Sequence, residues 1–344
     1  MRARSRVLNH PQGFQLRTPL LVPSFSSKGF DVARRGPRSK KLISECSQYL
    51  QVFADRLQKG FLVSAYDLHH QLLAPAKELT RNKFADSLWS SPRVLFIDSG
   101  LYEQRIGSDS HEPLQEMRLP AGWSEDDFVK LARKLPKEAP IALVSWDRLE
   151  PYRSQIDAAQ GFFSGHKDFL SVFLLKPEEE GRFHQMSELA PHAGRLAAFD
   201  VIGVTEKELG DSVVERMAAV ARLRGLLDSE KIERPIHVFG ALDPLHTPLY
   251  FAAGADIFDG LSWLRYLWFE GVAVHRASLA VLGGHQDKGN QEAVEIAMAQ
   301  SLDMIEKLER RLKNFVQEEG KWSVFGELRE NVLEDAYLDM EATI

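Results

Sequence analysis

The sequence predicts an α/β protein built as a (β/α)8 TIM barrel, and three observations lead to this fold class. First, eight short apolar segments have the composition of buried strands. Second, helical or polar connections separate most of these segments, as parallel strands require. Third, several segments end in an acid or a glycine, and no Gly-x-Gly-x-x-Gly follows the first of them, which disfavours a doubly wound open sheet.

The expected strands are, in chain order, Arg17–Phe25, Phe61–Tyr66, Val94–Ile97, Ile141–Trp146, Phe169–Leu175, Phe199–Thr205, Pro235–Gly240 and Asp256–Asp259. Apolar residues at helical spacing predict a helix from about Leu42 to Lys59, which Gly60 would end. An N-cap at Ser124 and a capping box at Ser212–Glu215 predict two further helix starts. An apolar stripe predicts a long helix from Asn290 to about Val316.

Length and composition are those of a soluble globular protein. The 344 residues, 44% hydrophobic and 27% charged, are expected to form a single domain over 1–344, with the barrel in 15–262 and a helical extension in 263–344. The single cysteine, Cys46, excludes an internal disulfide and a cysteine-based zinc cluster, and it fits a reducing cytoplasm. No apolar run approaches the ~20 residues of a membrane span, and the basic N-terminus lacks the apolar part of a signal peptide. We therefore expect a cytoplasmic protein with no membrane partner.

Basic residues are concentrated at the start of the chain. Residues 1–41 hold ten Lys and Arg against one acid, a net +9 that leaves −15 on the rest of the chain, whose total is −6. This asymmetry predicts contact with a polyanion, and a solvated basic arm without a partner is the alternative. The residues expected to bind nucleic acid are Arg34, Arg35, Arg38, Lys40 and Lys41.

Acids at the predicted strand ends are the candidate catalytic groups. Asp98 follows the run Val94–Ile97, Asp147 follows the fourth strand, and Asp259 ends the eighth. Because the active site of such a barrel lies at the carboxyl ends of its strands, these three carboxylates are expected to converge on one mouth. The alternative for each is a loop residue that caps the next helix.

Three motifs together resemble the tRNA-guanine transglycosylase superfamily. Ile97-Asp-Ser-Gly-Leu-Tyr-Glu103 is similar to the Asp-Ser-Gly-Gly-Phe/Tyr-Gln signature of that family. His237-Val-Phe-Gly-Ala-Leu-Asp-Pro244 followed by Ala253-Gly-Ala-Asp-Ile-Phe-Asp259 resembles its Leu-Gly-Val-Gly-x-Pro and Gly-Val-Asp-Met-Phe-Asp pair. The resemblance spans roughly residues 15–262 and implies a barrel enzyme that exchanges a base at C1′ of a nucleotide.

The resemblance also implies residue roles. Asp259 matches the nucleophile that holds the sugar covalently, and Asp98 matches the acid that protonates the departing purine. Asp147 matches the residue that hydrogen-bonds the Watson–Crick edge of a guanine-like base, and Tyr102 and Phe239 match groups that sandwich the base. The expected base-binding residues are thus Ser99, Gly100, Tyr102, Asp147, Phe239 and Gly240.

Departures from the family pattern favour DNA as the substrate. The tRNA enzymes carry a three-cysteine, one-histidine zinc site after the last strand, whereas Trp263–Gly289 contains no cysteine. The family's glutamine on the fifth strand is replaced near Leu175 or Lys176, and Ser64 and Asp67 stand where the second-strand motif has Asn and His. The pattern resembles the branch that inserts 7-deazaguanine bases such as preQ0 into DNA. This resemblance implies that the protein could act together with protein partners of a DNA-modification system. An enzyme acting on tRNA and a non-catalytic nucleic-acid-binding paralogue are the alternatives.

Histidines raise a metal-dependent alternative. His69 and His70, with Asp147 and either His237 or His246, could serve as the ligands of a metallohydrolase barrel. The chain has no His-x-His pair, the usual spacing for two ligands on one strand. We therefore expect no metal and no cofactor.

Overall fold

The computed structural model describes residues 1–34, 42–53, 56–57, 59–73, 94–104, 120, 122–275, 278–282 and 290–344. Its strands are β1 (Val7–Asn9), β2 (Gln15–Arg17), β3 (Leu20–Phe25), β4 (Val32–Arg34), β5 (Leu42–Ser44), β6 (Gly60–Ser64), β7 (Val94–Asp98), β8 (Ile141–Val144), β9 (Leu170–Leu174), β10 (Val201–Thr205), β11 (Ile236–Phe239), β12 (Ile257–Gly260), β13 (Tyr266–Phe269) and β14 (Val272–His275). Eight of them, β3 and β6 to β12, form a closed parallel barrel. The predicted fold class is confirmed, and each barrel strand overlaps its predicted segment, with β6, β7 and β12 extending one residue beyond it.

Helices follow most barrel strands. They are α1 (Cys46–Phe53), α2 (Ala65–His70), α3 (Leu101–Gln104), α4 (Glu125–Ala132), α5 (Tyr152–Ser164), α6 (Met186–Leu189), α7 (Val213–Ser229), α8 (His246–Ala253), α9 (Ser262–Arg265), α10 (Leu279–Leu282), α11 (Asn290–Gln317) and α12 (Glu327–Glu341). Short 3-10 segments lie at Ala190–Ala198, Glu206–Glu208 and Trp322–Phe325. The N-cap at Ser124 and the capping box of Ser212 with Glu215 are both confirmed.

The predicted helix from Leu42 to Lys59 is wrong at both ends. Residues 42–44 form β5, which pairs antiparallel with β4, and the helix begins only at Cys46. The apolar spacing of this segment suits a helix, but pairing with β4 satisfies backbone groups of residues 42–44 that a helix would otherwise have used. The backbone N–H of Glu45 also bonds to the carbonyl of Asp31, which anchors the turn between strand and helix.

Alternation along the strands determines which side chains enter the barrel. In β7, Val94 and Phe96 belong to the interior apolar cluster, while Leu95 and Ile97 pack against the outer helices. Asp98 has the parity of the interior residues, so it reaches the inside at the carboxyl end of the strand. The same parity brings Ser24, Ser64 and Asp259 inward above apolar neighbours on their own strands.

The amino end of the barrel is closed by the β1–β2 hairpin and by a buried ionic cluster. Leu8 and Leu16 of the hairpin join the interior apolar cluster. Beside them the fully buried Asp256 pairs with Arg6 and with Arg224, whose Nη2 lies 3.0 Å from Oδ2. The backbone N–H of Ile236 donates to the same Oδ2 at 2.9 Å, so this carboxylate ties three parts of the chain together.

The C-terminal extension packs onto the barrel. The predicted long helix is confirmed as α11, and its buried residues Leu302, Ile305, Leu308, Leu312 and Phe315 belong to the apolar layer that also surrounds the barrel strands. Helix α12 packs against α7 and α8. Among the helices that the structure describes, none has the length and apolar character to cross a membrane.

Candidate active site

A cavity of about 490 Å³ opens at the carboxyl ends of the barrel strands. Of the predicted site residues, Asp98, Tyr102, Asp147, Phe239, Gly240 and Asp259 line it. The cavity thus brings together Asp98, Asp147 and Asp259, although the first and the last of these are 161 positions apart in the sequence. The volume is within the range of small-molecule sites.

Asp259 is held by three hydrogen-bond donors. Oγ of Ser24 donates to its Oδ2 at 2.8 Å, and the N–H of Gly240 donates to its Oδ1 at 3.3 Å. Nε2 of His237 lies 2.9 Å from the same Oδ1, and in the tautomer with a proton on Nε2 the ring donates to the carboxylate. Donors arranged in this way fix the direction of the carboxylate.

Asp98 has the opposite environment. It is half-buried, and burial together with the negative charges of Asp147, Glu103 and Asp259 holds the pKa of its carboxyl well above the ordinary value, against the effect of the Ser99 N–H. Its side chain can therefore carry a proton at a pH where an ordinary aspartate is ionised. A protonated acid beside a hydrogen-bonded carboxylate is the arrangement used for acid and nucleophile in glycosyl transfer.

Serines at the carboxyl end of β3 and just after it bind three buried carboxyl groups in and beside the cavity. Besides the bond from Ser24 to Asp259, Ser26 donates to Oε1 of Glu103 at 2.5 Å, and both the N–H and the hydroxyl of Ser27 donate to the buried Asp67. Oε2 of Glu103 accepts from Ser64 at 2.7 Å. Burial raises the pKa of Glu103, while the bonds from Ser26 and Ser64 act in the opposite direction. One short segment thus positions three carboxyl groups.

Asp147 belongs to a second charged group. Its Oδ1 accepts from Ser99 at 2.5 Å, and its Oδ2 lies 3.6 Å from Nζ of Lys176. The same ammonium contacts Oε1 of Glu208 at 2.6 Å and donates to Oγ1 of Thr205 at 3.2 Å. Lys176 is only 1% exposed yet lines the cavity, so this wall presents a cation and a carboxylate side by side.

Two aromatic rings of the cavity are held in place by their neighbours. Phe239 stacks on His237 with ring centroids 3.8 Å apart, and a Cβ at residue 203 would lie 2.6 Å from the Phe239 ring, so Gly203 makes room for it. Nζ of Lys28 lies 4.0 Å from the centre of the Tyr102 ring, and Nη2 of Arg265 is 3.4 Å from the Tyr102 hydroxyl. Both rings offer faces on which a flat base could stack.

Ser99 and Gly100 lie behind the cavity wall and are not among the residues that line it. Ser99 is fully buried and acts on the cavity through its bond to Asp147. Gly100 has a φ of +91°, and a Cβ there would lie 2.7 Å from the backbone nitrogen of Tyr66. This position therefore requires glycine for the turn after β7.

Four of the five basic residues expected to bind nucleic acid lie outside the described part of the chain. Arg35, Arg38, Lys40 and Lys41 lie outside the described residues, and Arg34 is described only as the last residue of β4. These contacts stay predictions.

The four histidines of the metal-dependent alternative have other partners in the structure. His237 bonds to Asp259, His246 lies 3.4 Å from Glu206, and His69 and His70 pack on Trp123. In the part of the chain that the structure describes, no three His, Cys, Asp or Glu side chains are grouped as metal ligands would be.

Several lining or supporting residues were not among the predicted catalytic and base-binding residues: Ser24, Ser26, Ser64, Glu103, Lys176, Glu208, His237 and Arg265. Strand parity would have indicated Ser24, Ser64 and His237, because each is a polar residue at an inward position.

No family model matches the chain, and no curated protein matches it either.

Proposed function

We propose that the chain is a base-exchange transglycosylase, which replaces guanine in DNA by a 7-deazaguanine base such as preQ0 through a covalent bond between Asp259 and the sugar. The observation that carries the proposal is the contrast between two carboxyl groups of one cavity. Asp98 has a raised pKa, whereas three hydrogen bonds hold the carboxyl group of Asp259 in place. The motifs that resemble the tRNA-guanine transglycosylase superfamily support the same roles.

The proposed reaction has two symmetric halves. Asp259 attacks C1′ as the bond from C1′ to the purine breaks, and Asp98 gives its proton to the departing base. The incoming base then loses a proton to Asp98 and attacks C1′, which releases the carboxylate of Asp259. Inversion occurs in each half, so the configuration at C1′ is retained.

The other residues of the cavity position the base and the acids. Tyr102 and Phe239 would hold the ring faces, and Asp147 would accept from the ring N–H groups of the base. Ser24, His237 and Gly240 orient Asp259 toward C1′. The segment from Arg34 to Lys41 lies between β4 and β5 in the sequence, and these two strands follow the carboxyl end of β3. Its positive charges would add salt-dependent contacts to the phosphates of the nucleic acid.

The experiment is a base-exchange assay with preQ0 on separate DNA and tRNA substrates, read out by nucleoside analysis. We expect preQ0 in the DNA and an equal amount of released guanine. Incorporation into tRNA alone would keep the chemistry and change the substrate. No incorporation into either nucleic acid, by a folded protein supplied with cell extract as a source of partners, would refute the proposed reaction.

A pH profile tests the acid role of Asp98. Replacing Glu103 by Gln removes a nearby negative charge that raises the pKa of Asp98. Since Asp98 must be protonated to assist departure of the base, activity is lost as pH rises through its pKa, and this loss should move to lower pH in Glu103→Gln. The measurement is kcat against pH, with the exposed Glu180→Gln as the control. An unchanged profile in Glu103→Gln would contradict this role.

A further inference from the structure

A second, smaller cavity lies between the loops at the carboxyl end of the barrel and the C-terminal extension. It has a volume of about 10 Å³, and its lining includes Pro244, Trp268, Gly271, Arg311, Phe325 and Arg329. These residues come from the loop after β11, the β13–β14 hairpin, α11, the 3-10 segment that ends at Phe325, and α12. We call it the arginine cavity, because Arg311 and Arg329 are the charged residues among the described residues that line it.

The indole N–H of Trp268 is a donor without an acceptor. The residue is 1% exposed, and in the part of the chain that the structure describes no acceptor bonds to its Nε1. Its backbone N–H donates to Oγ of Ser301 at 3.1 Å, which holds the residue in place. Because buried donors in proteins are nearly always bonded, a ligand that enters this cavity is expected to supply the acceptor.

Arg311 and Arg329 bring two positive charges to the same cavity. Nη1 of Arg329 donates to the carbonyl of Phe325 at 3.0 Å, and among the described residues no ion pair engages either guanidinium. Burial and the charge of Arg311 lower the pKa of Arg329, and the exposed Glu270 acts in the opposite direction. Gly271 lies against this guanidinium, since a Cβ there would be 2.2 Å from Cζ of Arg329. Two like charges held together in this way favour an anion.

A phosphate oxygen suits these features better than a water molecule or a carboxylate. A cavity of this volume admits about one water-sized group, so one oxygen of a larger anion can enter it. Water could accept from Trp268 but would leave the charges of Arg311 and Arg329 uncompensated. Donors from three separate elements match a tetrahedral anion better than a planar one. The start of α12, where Gly326 provides no side-chain cap, adds the positive end of a helix dipole.

We propose that Trp268, Arg311 and Arg329 form a phosphate-binding site separate from the cavity that holds Asp98 and Asp259. Strand β13 connects the two cavities. Its first residue lines the larger one, and Trp268, two residues or about 7 Å further along, lines the arginine cavity.

Two sources of phosphate share this chemistry. A nucleic-acid strand with one nucleotide in the larger cavity could place a backbone phosphate at the arginine cavity, and free phosphate could bind there alone. The nucleic-acid source rests on the proposed function, whereas the phosphate site itself does not.

The experiment follows the indole N–H signal of Trp268 by NMR of the full chain with ¹⁵N-labelled tryptophan. The signal is the one of six indole signals that Trp268→Phe lacks. We expect inorganic phosphate to shift it and sodium chloride at the same ionic strength to leave it unchanged. Arg311→Met and Arg329→Met should each weaken phosphate binding by about 10-fold, because each removes hydrogen bonds to a charged group. Arg310→Met, an exposed neighbour on α11 outside the cavity, should bind phosphate as the wild type does.

A short guanine-containing DNA strand distinguishes the two sources. If a DNA phosphate is the ligand, the strand shifts the same signal, and Arg329→Met lowers the slope of log affinity against log salt by roughly 0.7. If only free phosphate shifts the signal and Arg329→Met leaves DNA affinity unchanged, the site stands with a free anion as its ligand.

The decisive outcomes come from the wild type, so a variant that thermal unfolding shows to be misfolded does not decide the result. No shift with phosphate or DNA, or an equal shift with chloride, would overturn the proposal. Phosphate affinity that stays unchanged in both Arg311→Met and Arg329→Met would overturn it as well. If phosphate binds through these residues but the chain exchanges no base, the phosphate site stands and the transglycosylase reaction falls.

Discussion

Replacement of Asp259 by Asn is expected to abolish base exchange. The amide keeps the size of the side chain but cannot attack C1′ or form the covalent link to the sugar. We expect a loss of roughly 10⁴-fold or more in kcat, the scale at which enzymes respond to removal of a group that acts in a concerted set. Initial rates of base incorporation measure it.

The matched control is Asp339→Asn, an exposed aspartate on α12. It makes the same chemical change far from the cavity and should keep wild-type rates. Binding of the free base should survive in Asp259→Asn, because Asp147, Tyr102 and Phe239 are unchanged. Exchange at near-normal rates by Asp259→Asn would remove the basis for the proposed reaction.

The largest effect on stability is expected at the amino end of the barrel. Asp256→Ala removes the acceptor shared by Arg6, Arg224 and the backbone N–H of Ile236, all of which are buried there. Breaking a buried pair by removal of one partner costs about 3–5 kcal/mol, because it leaves uncompensated buried charge. Chemical denaturation followed by circular dichroism would measure the free energy of unfolding.

A surface ion pair provides the comparison for this variant. Asp303 pairs with Arg56, and both side chains are at least 36% exposed. Asp303→Ala should therefore change the free energy of unfolding by less than about 1 kcal/mol. If Asp256→Ala were as stable as Asp303→Ala, the buried cluster would not support the barrel as described.

The barrel could be predicted because its strands are short, apolar and bounded by polar residues. Each of the eight overlaps its predicted segment to within one residue of the predicted bounds on the side where it extends beyond them, and convergence of Asp98, Asp147 and Asp259 follows from the parallel arrangement. The helix predicted over Leu42–Lys59 was wrong at its start because pairing with β4, which lies 8 to 12 residues earlier in the chain, overrode the helical spacing. The periodicity of residues 42–59 alone contains no information about this pairing.

The partners of the acids were the least predictable part of the site. Lys176 and Glu208 are 32 positions apart and follow different strands, and the sequence does not indicate that they meet. Ser24 and Asp259 meet only because β12 pairs with β3 and closes the barrel. The prediction therefore located the carboxylates, whereas the structure was needed to show which donors distinguish Asp98 from Asp259.

Intact-protein mass spectrometry on an acid-quenched reaction with guanine-containing DNA tests the covalent role of Asp259 most directly. We expect a species whose mass equals the chain plus the DNA strand minus one guanine. It should be absent in Asp259→Asn, and after proteolysis the adduct should map to Asp259. A chain that exchanges guanine without forming this species, or that forms it on another residue, would contradict the covalent role of Asp259.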